Sequence, residues 1–324
     1  MTSHGVALRW VVLGGLLLEM VACAGPRLRP RKAAPGEIED GSTITLAESA
    51  PTETTLDLPD IPNADGVWLE MINAATRAID LSHFYTSDQP PSRLTPIIGA
   101  LRAAVARGVR VRFLVDESVA AKYPETLDAL TGQAGLQLRK LAVQKLMGGV
   151  QHAKYMVIDR REAYLGSQNF DWRSLEHIQE MGVRIRSKRV AGALLDVFET
   201  DWEFAGGAPA NLRIVRRPDA DAVRLFTGET VTFVASPKGW LPDEAEWDLP
   251  KLVRLIDQAR SELGIQLLTY KTKSYDGSLF LELDRALRRA AARGVGVRLL
   301  VSDWSNKPSS EARRSISALS QVPG

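Results

Sequence analysis

Apolar positions recur along this chain with helical and strand periods in alternation. Trp68, Met71, Ile72 and Ala75 fall at helical spacing and lead into a strand-like run at 78–85. Ile97, Leu101 and Val105 repeat every fourth position, and Gly108 follows as a C-cap. Residues 109–115 (VRVRFLV) then alternate Arg with apolar side chains up to Asp116. A short helix is predicted at 127–130 and strands at 136–141, 152–159, 162–165 and 181–185, before a helix at 190–204. Strand, helix, strand order with Gly-capped helices predicts an α/β fold, a mixed β-sheet flanked by helices on both faces. The Trp and Leu residues of these segments read as core.

The pattern then starts again. Residues 97–115 (IIGALRAAVARGVRVRFLV) resemble 283–301 (LDRALRRAAARGVGVRLLV), with Arg107-Gly108-Val109 matching Arg293-Gly294-Val295. Upstream, 68–85 corresponds loosely to 252–270, each a helix running into a strand with a terminal Tyr. Between them, 206–245 contains strand-like segments without a strong motif and reads as a connector. The expected organisation is a first half at 62–205, the connector, and a second half at 246–324 that is incomplete.

Composition narrows the class. With 324 residues, 45% apolar and 25% charged, the chain is globular. Its net charge of +2 lacks the basic excess of a dedicated duplex-DNA binder. Residues 1–22 read as an export signal, with Arg9 before the short apolar core WVVLGGLLL, too short to span a bilayer comfortably. Cys23 is the only cysteine, so no intrachain disulfide forms. Met20-Val21-Ala22-Cys23 resembles a bacterial lipoprotein cleavage box, which makes Cys23 the candidate lipidation site and the membrane a partner; an ordinary secretory signal is the alternative. Residues 23–61, rich in Pro, Thr, Ser, Glu and Asp and lacking apolar periodicity, are expected to be a disordered tether.

The candidate chemistry lies at 151–174, QHAKYMVIDRREAYLGSQNFDWRS. On a strand, His152 and Lys154 share a face, while Asp159 has the opposite parity and is suited to fixing the strand end or the following turn. Gly166 permits a tight turn, and Ser167 and Asn169 offer small donors to an anionic oxygen. Lys154 can neutralise a phosphate, and His152 can attack phosphorus or move a proton. No metal-ligand spacing of His, Cys and acidic residues is visible, and no cofactor is implied. A solvated Lys beside a packed His is the plainer reading, but the polar residues recur together around a Gly turn. His83 and His177 lack such company and read as packed or surface residues.

This window resembles the signature of the phospholipase D superfamily, H-x-K-x4-D with its G-S-x-N extension. The run YLGSQNFDWRSLEHIQEMGV is similar in particular to lysosomal phospholipase-D-like exonucleases and their bacterial relatives. The resemblance implies a phospholipase D-like sandwich of two pseudo-repeats and a phosphodiesterase working through a phosphohistidine. His152 would be nucleophile or general acid, and Lys154, Ser167 and Asn169 would hold phosphoryl oxygens. Asp159 and Glu180 would orient the site, Glu180 at the position where the family bonds a carboxylate to the catalytic imidazole. Such proteins use two signature copies, and a second copy at the repeat spacing would fall past Gly324, so the chain is expected to be a fragment. A homodimer sharing sites or an inactive relative are the alternatives. The implied substrate is a phospholipid or single-stranded nucleic acid, on which Phe84, Tyr85, Phe170, Trp172 or Tyr270 could stack, although each alone reads more simply as core. No obligate protein partner is evident. The rival reading is a non-catalytic, membrane-anchored binding protein on the same scaffold.

Overall fold

The computed structural model describes residues 38–39, 41–132, 135–207, 222–273, 277–307 and 310–321. Cys23 and the export signal lie outside these residues. The chain divides into two compact units, one reaching Phe233 and the other formed mainly by Val234–Gly324. No helix among the described residues is long and apolar enough to cross a membrane.

The first unit is a mixed sheet with helices on both faces, as the alternation predicts. In chain order its elements begin with strand β1 (Thr43–Ser49), helix α1 (Ala64–Ala74), β2 (Ala78–His83), α2 (Leu94–Ala106) and β3 (Arg110–Asp116). There follow α3 (Pro124–Thr131), β4 (Leu136–Leu141), β5 (Tyr155–Ile158), β6 (Glu162–Gly166), α4 (Trp172–Glu176), β7 (Glu180–Arg186) and α5 (Lys188–Ala205). The sheet order is β1-β7-β6-β5-β2-β3-β4. β2, β3 and β4 run parallel, and β5 joins β2 antiparallel, with Leu81 opposite Met156.

The two faces of the sheet are held by different forces. On one, Ile79, Leu81, Met156 and Ile158 pack with Trp68 and Met71 of α1 and Ile97 and Leu101 of α2 in a single apolar core. On the other, Arg112 lies buried between Asp80 on β2 and Glu199 on α5, with Nε 2.6 Å from Asp80 and the other two nitrogens forked onto Glu199. Its guanidinium also lies 4.7 Å from the Phe198 ring centroid and 5.3 Å from that of Trp202. Through these bonds Arg112 ties α5 to β2 and β3.

Two expectations need correction. The stretch taken as a disordered tether contains β1, which pairs with β7 over its full length, from Thr43 opposite Arg186 to Ser49 opposite Glu180. Its polar end is buried because it is bonded. Glu48 accepts the Leu58 amide at 2.5 Å, and Ser49 donates to the Ile178 carbonyl at 3.2 Å. The connector at 206–245 is not one piece either. Val223 and Leu225 pack with Ile185 and Val190 in the first unit, while residues from Val234 onward belong to the second.

The second unit holds α6 (Asp248–Gln258), β8 (Glu262–Leu267), α7 (Glu282–Ala292), β9 (Gly296–Val301) and α8 (Glu311–Ser320). β8 and β9 run parallel, Glu262 opposite Gly296, as β2 and β3 do in the first unit. The repeat read from the sequence is thus a repeat of structure.

Candidate active site

β2 and β3 end, β6 ends, and β5 and β7 begin at one edge of the sheet, and the candidate residues collect there. His152 and Lys154 stand immediately before β5 rather than within it, although the ladder is prolonged by the Gly166 amide donating to the Lys154 carbonyl at 3.1 Å. Asp116, at the end of β3, fixes this approach. One carboxylate oxygen accepts the Gln151 amide at 2.8 Å, and the other caps the helix Glu117–Ala120 through the Ser118 and Val119 amides. The Gln151 side chain in turn donates to the Ser82 hydroxyl on β2.

Lys154 is almost wholly buried, 4% exposed, and its ammonium donates to the His152 carbonyl at 2.6 Å. Burial pushes its pKa down to about 7, and the nearby Glu180 carboxylate acts in the opposite direction. Glu180, at the start of β7, is pushed up to about 7, again chiefly by burial. A hydrogen bond from Ser174 and the charge of Lys154 partly offset that rise. The His152 ring packs edge-on to Phe84 at 4.6 Å, and the Lys154 ammonium lies 5.2 Å from the same ring. An ammonium and a carboxylate that both titrate near neutrality, beside an imidazole, are suited to moving protons and stabilising developing charge.

The turn after β6 supplies the small donors. Ser167 faces Met181, the neighbour of Glu180, through Ser167 N–H to the Met181 carbonyl at 3.0 Å and Met181 N–H to Ser167 Oγ at 3.2 Å. The Asn169 amide donates to Ser174 Oγ at 3.1 Å, so the buried Ser174 links the Asn169 loop to Glu180. Asn169 Oδ1 is buried without a hydrogen-bond partner among the described residues. The close pairing of β6 with β7 depends on glycine at both Gly166 and Gly182, which lie opposite one another. A Cβ at Gly182 would overlap the Tyr164 hydroxyl, and one at Gly166 would overlap the Gln168 side chain.

Asp159 does not join this cluster. It lies at the far end of β5, about 17 Å along the strand from Lys154 at ~3.4 Å per residue. There its carboxylate accepts the Thr76, Arg77 and Ala78 amides at 2.7–2.9 Å and the Thr76 hydroxyl at 2.7 Å. Those bonds secure the α1–β2 junction and the β5–β6 turn, in which Asp159 and Arg160 both have positive φ. The expectation that Asp159 orients the reacting groups is therefore corrected, and its strand parity already pointed to the structural role. His83 is fully buried among Trp68, Phe113 and Phe170, and burial lowers its pKa to about 3. His177 is on the surface beside Glu53 at 3.2 Å. Of the aromatic candidates, Phe170 and Tyr270 are core residues, whereas Tyr85 and Trp172 are only half-buried. Sequence reasoning passed over Asp116, Ser174 and Tyr123. Only Asp116 carried a legible signal, as a carboxylate ending a strand before Glu-Ser.

The chain is similar to several known proteins. Residues 68–202 match the family described as "Cardiolipin synthase, PLD-like domain". The chain is 32% identical over 314 residues to "5'-3' exonuclease PLD3" of Macaca fascicularis, spanning 88% of this chain and 62% of that one. It is 29% identical over 296 residues to "Phospholipase D Z" of Dictyostelium discoideum, spanning 82% and 68% respectively. Among solved structures, a phospholipase D family member, nuc from Salmonella typhimurium, aligns with a TM-score of 0.41 at 22% identity, over 50% of this chain and 95% of that one.

Proposed function

We propose that this chain, which belongs to the phospholipase D superfamily, contributes the catalytic His152 and Lys154 of a phosphodiesterase acting on single-stranded nucleic acid. The observation that carries the proposal is the meeting of His152, Lys154, Glu180, Ser167 and Asn169 at one sheet edge, with Lys154 and Glu180 both brought near neutrality. Lys154 and the Ser167 and Asn169 side chains would take the non-bridging phosphoryl oxygens. His152 would serve at phosphorus, as nucleophile forming a phosphohistidine or as the acid that protonates the leaving oxygen. Glu180 would stabilise the cationic imidazole and set its tautomer. The nucleic-acid substrate is favoured by the likeness to proteins named 5'-3' exonuclease, of which this chain spans 62%.

The test compares hydrolysis of a short single-stranded oligonucleotide with that of phosphatidylcholine, using intact chain and His152→Ala. Cleavage of the oligonucleotide alone, reduced by about a thousandfold or more in the variant, is expected. Cleavage of phosphatidylcholine alone would overturn the substrate. Hydrolysis that survives in His152→Ala would overturn the mechanism, and a chain that binds the strand and cuts neither substrate would be the scaffold of a binding protein.

A further inference from the structure

Beside the phosphate-handling residues stands a group of side chains for which that chemistry has no use. Tyr85, just beyond β2, stacks on Tyr123 with centroids 4.8 Å apart and planes at 23°. The Arg173 guanidinium lies 5.8 Å from the ring centroid of Tyr123 and 5.8 Å from that of Trp172. These groups are tied to one another. Asp171 accepts Arg173 Nε at 3.0 Å and Nη2 at 2.5 Å, and burial together with the nearby Asp171 carboxylate raises the Tyr85 pKa. Asp171 is itself buried and fixed as the N-cap of α4 through the Arg173 amide at 2.7 Å. The wall continues to the catalytic residue, since Tyr85 packs edge-on to Phe84 at 5.5 Å and Phe84 to His152 at 4.6 Å.

What this wall offers follows from what is already used. The donor edge of Arg173 is engaged by Asp171, so the guanidinium has its flat face to offer more than free donors for an anion. Tyr85, Tyr123, Trp172 and Arg173 are all half-buried, each retaining some exposed surface. A rigid set of π faces and one guanidinium plane suits a flat, aromatic ligand. The quaternary or primary ammonium of a phospholipid headgroup would gain at the tyrosines but meet a like charge at Arg173.

We propose that Tyr85, Tyr123 and Arg173 form a nucleobase-stacking subsite that holds the base adjoining the phosphate at His152, a specificity element that rests on the nucleic-acid reading above. It binds without regard to base identity, because every base has a π face.

The test measures equilibrium binding of a fluorescently labelled oligothymidylate and of an abasic strand of the same length, which has the same charge and no bases. The full chain is compared with Tyr123→Ala, Tyr123→Leu and Tyr123→Phe, the leucine variant keeping apolar bulk should the alanine variant fail to fold. The intact chain is expected to prefer the base-bearing strand by about tenfold or more. That preference is expected to disappear in the alanine and leucine variants and to survive in Tyr123→Phe. Equal affinity of the intact chain for the two strands, or a preference that persists in both truncated variants, would overturn the subsite. Hydrolysis followed in the same samples keeps the two claims apart. A chain that prefers bases but cuts neither strand refutes the hydrolase reading and supports the subsite, and one that cuts both strands with equal affinity does the reverse.

Discussion

The two copies of the strand–helix–strand unit share their local chemistry and differ in what surrounds it. Both helices preceding the second strand end in the same cap, with Gly108 or Gly294 in the left-handed region. Val109 donates back to the Ala104 carbonyl and Gly108 to that of Val105; Val295 and Gly294 donate to Ala290 and Ala291 in the same pattern. Both units also spend the matching arginine on the preceding helix. Arg107 donates to the Ile72 carbonyl at 3.1 Å and Arg293 to that of Ile256 at 3.0 Å. Yet β2 and β3 are covered on both faces, whereas the residues of β8 and β9 alternate between partly buried and exposed. Leu300 on β9 is 63% exposed. Arg112, sealed under α5 in the first copy, has as its counterpart Arg298, which is exposed and paired with Glu262 at 3.1 Å. A short local code builds the unit; the site comes from the strands β5, β6 and β7 laid beside it.

Matched substitutions measure that difference. Leu101 and Leu287 occupy equivalent, fully packed positions on α2 and α7. Leu101→Ala is expected to cost about 4–5 kcal/mol and Leu287→Ala about 2–3 kcal/mol, since a layer open on one side collapses more readily around a cavity. Urea denaturation followed by circular dichroism would read both, and equal losses would break the comparison.

Smaller in free energy than the Leu101 loss, and confined to the first copy, is the effect of Glu180→Gln, expected to slow turnover about a hundredfold by loosening the imidazole. The wild-type rate should fall as pH rises through about 7, where Lys154 loses its proton, and as pH falls through about 7, where Glu180 gains one. In the variant the acid limb should vanish. The alkaline limb should move to lower pH, because the carboxylate that raises the Lys154 pKa is gone. A pH–rate profile checks this, and Leu287→Ala should leave both limbs in place.

The smallest effect is the most symmetric. Arg107→Ala and Arg293→Ala should each cost about 1 kcal/mol, the value of a helix end losing its donor, and the two losses should add. Unfolding midpoints of the single and double variants would show whether the shared cap is energetically the same device in both settings.

The sequence was informative where its pattern is local. Helices α1, α2 and α5 and the parallel strands follow from spacing and glycine caps, and His152, Lys154, Ser167, Asn169 and Glu180 stand in or just after one compact window. It was misleading where burial is achieved by hydrogen bonding rather than by apolar side chains. β1 carries Glu48 and Ser49 into the interior and so reads like a linker. The alternation at 109–115 puts Arg112 on one face of a strand without showing what meets it, and it is buried because Asp80 and Glu199, remote in sequence, meet it there. Ser174 and Tyr123 were silent for the same reason, since each matters through a neighbour that only the fold supplies.

The opposed glycines between β6 and β7 also bear on how such a chain can change over time. Tyr164, Gly166 and Gly182 compete for one volume, so a change at one of them constrains what the others can hold. A larger residue at 182 is admissible only after the ring at 164 has shrunk, and a side chain at 166 only after Gln168 has moved. Because Ser167 and Asn169 follow directly on Gly166, drift at these scaffold positions must pass through the donors that would hold a phosphate. The two glycines thus couple the strand pairing sterically to the loop that carries Ser167 and Asn169.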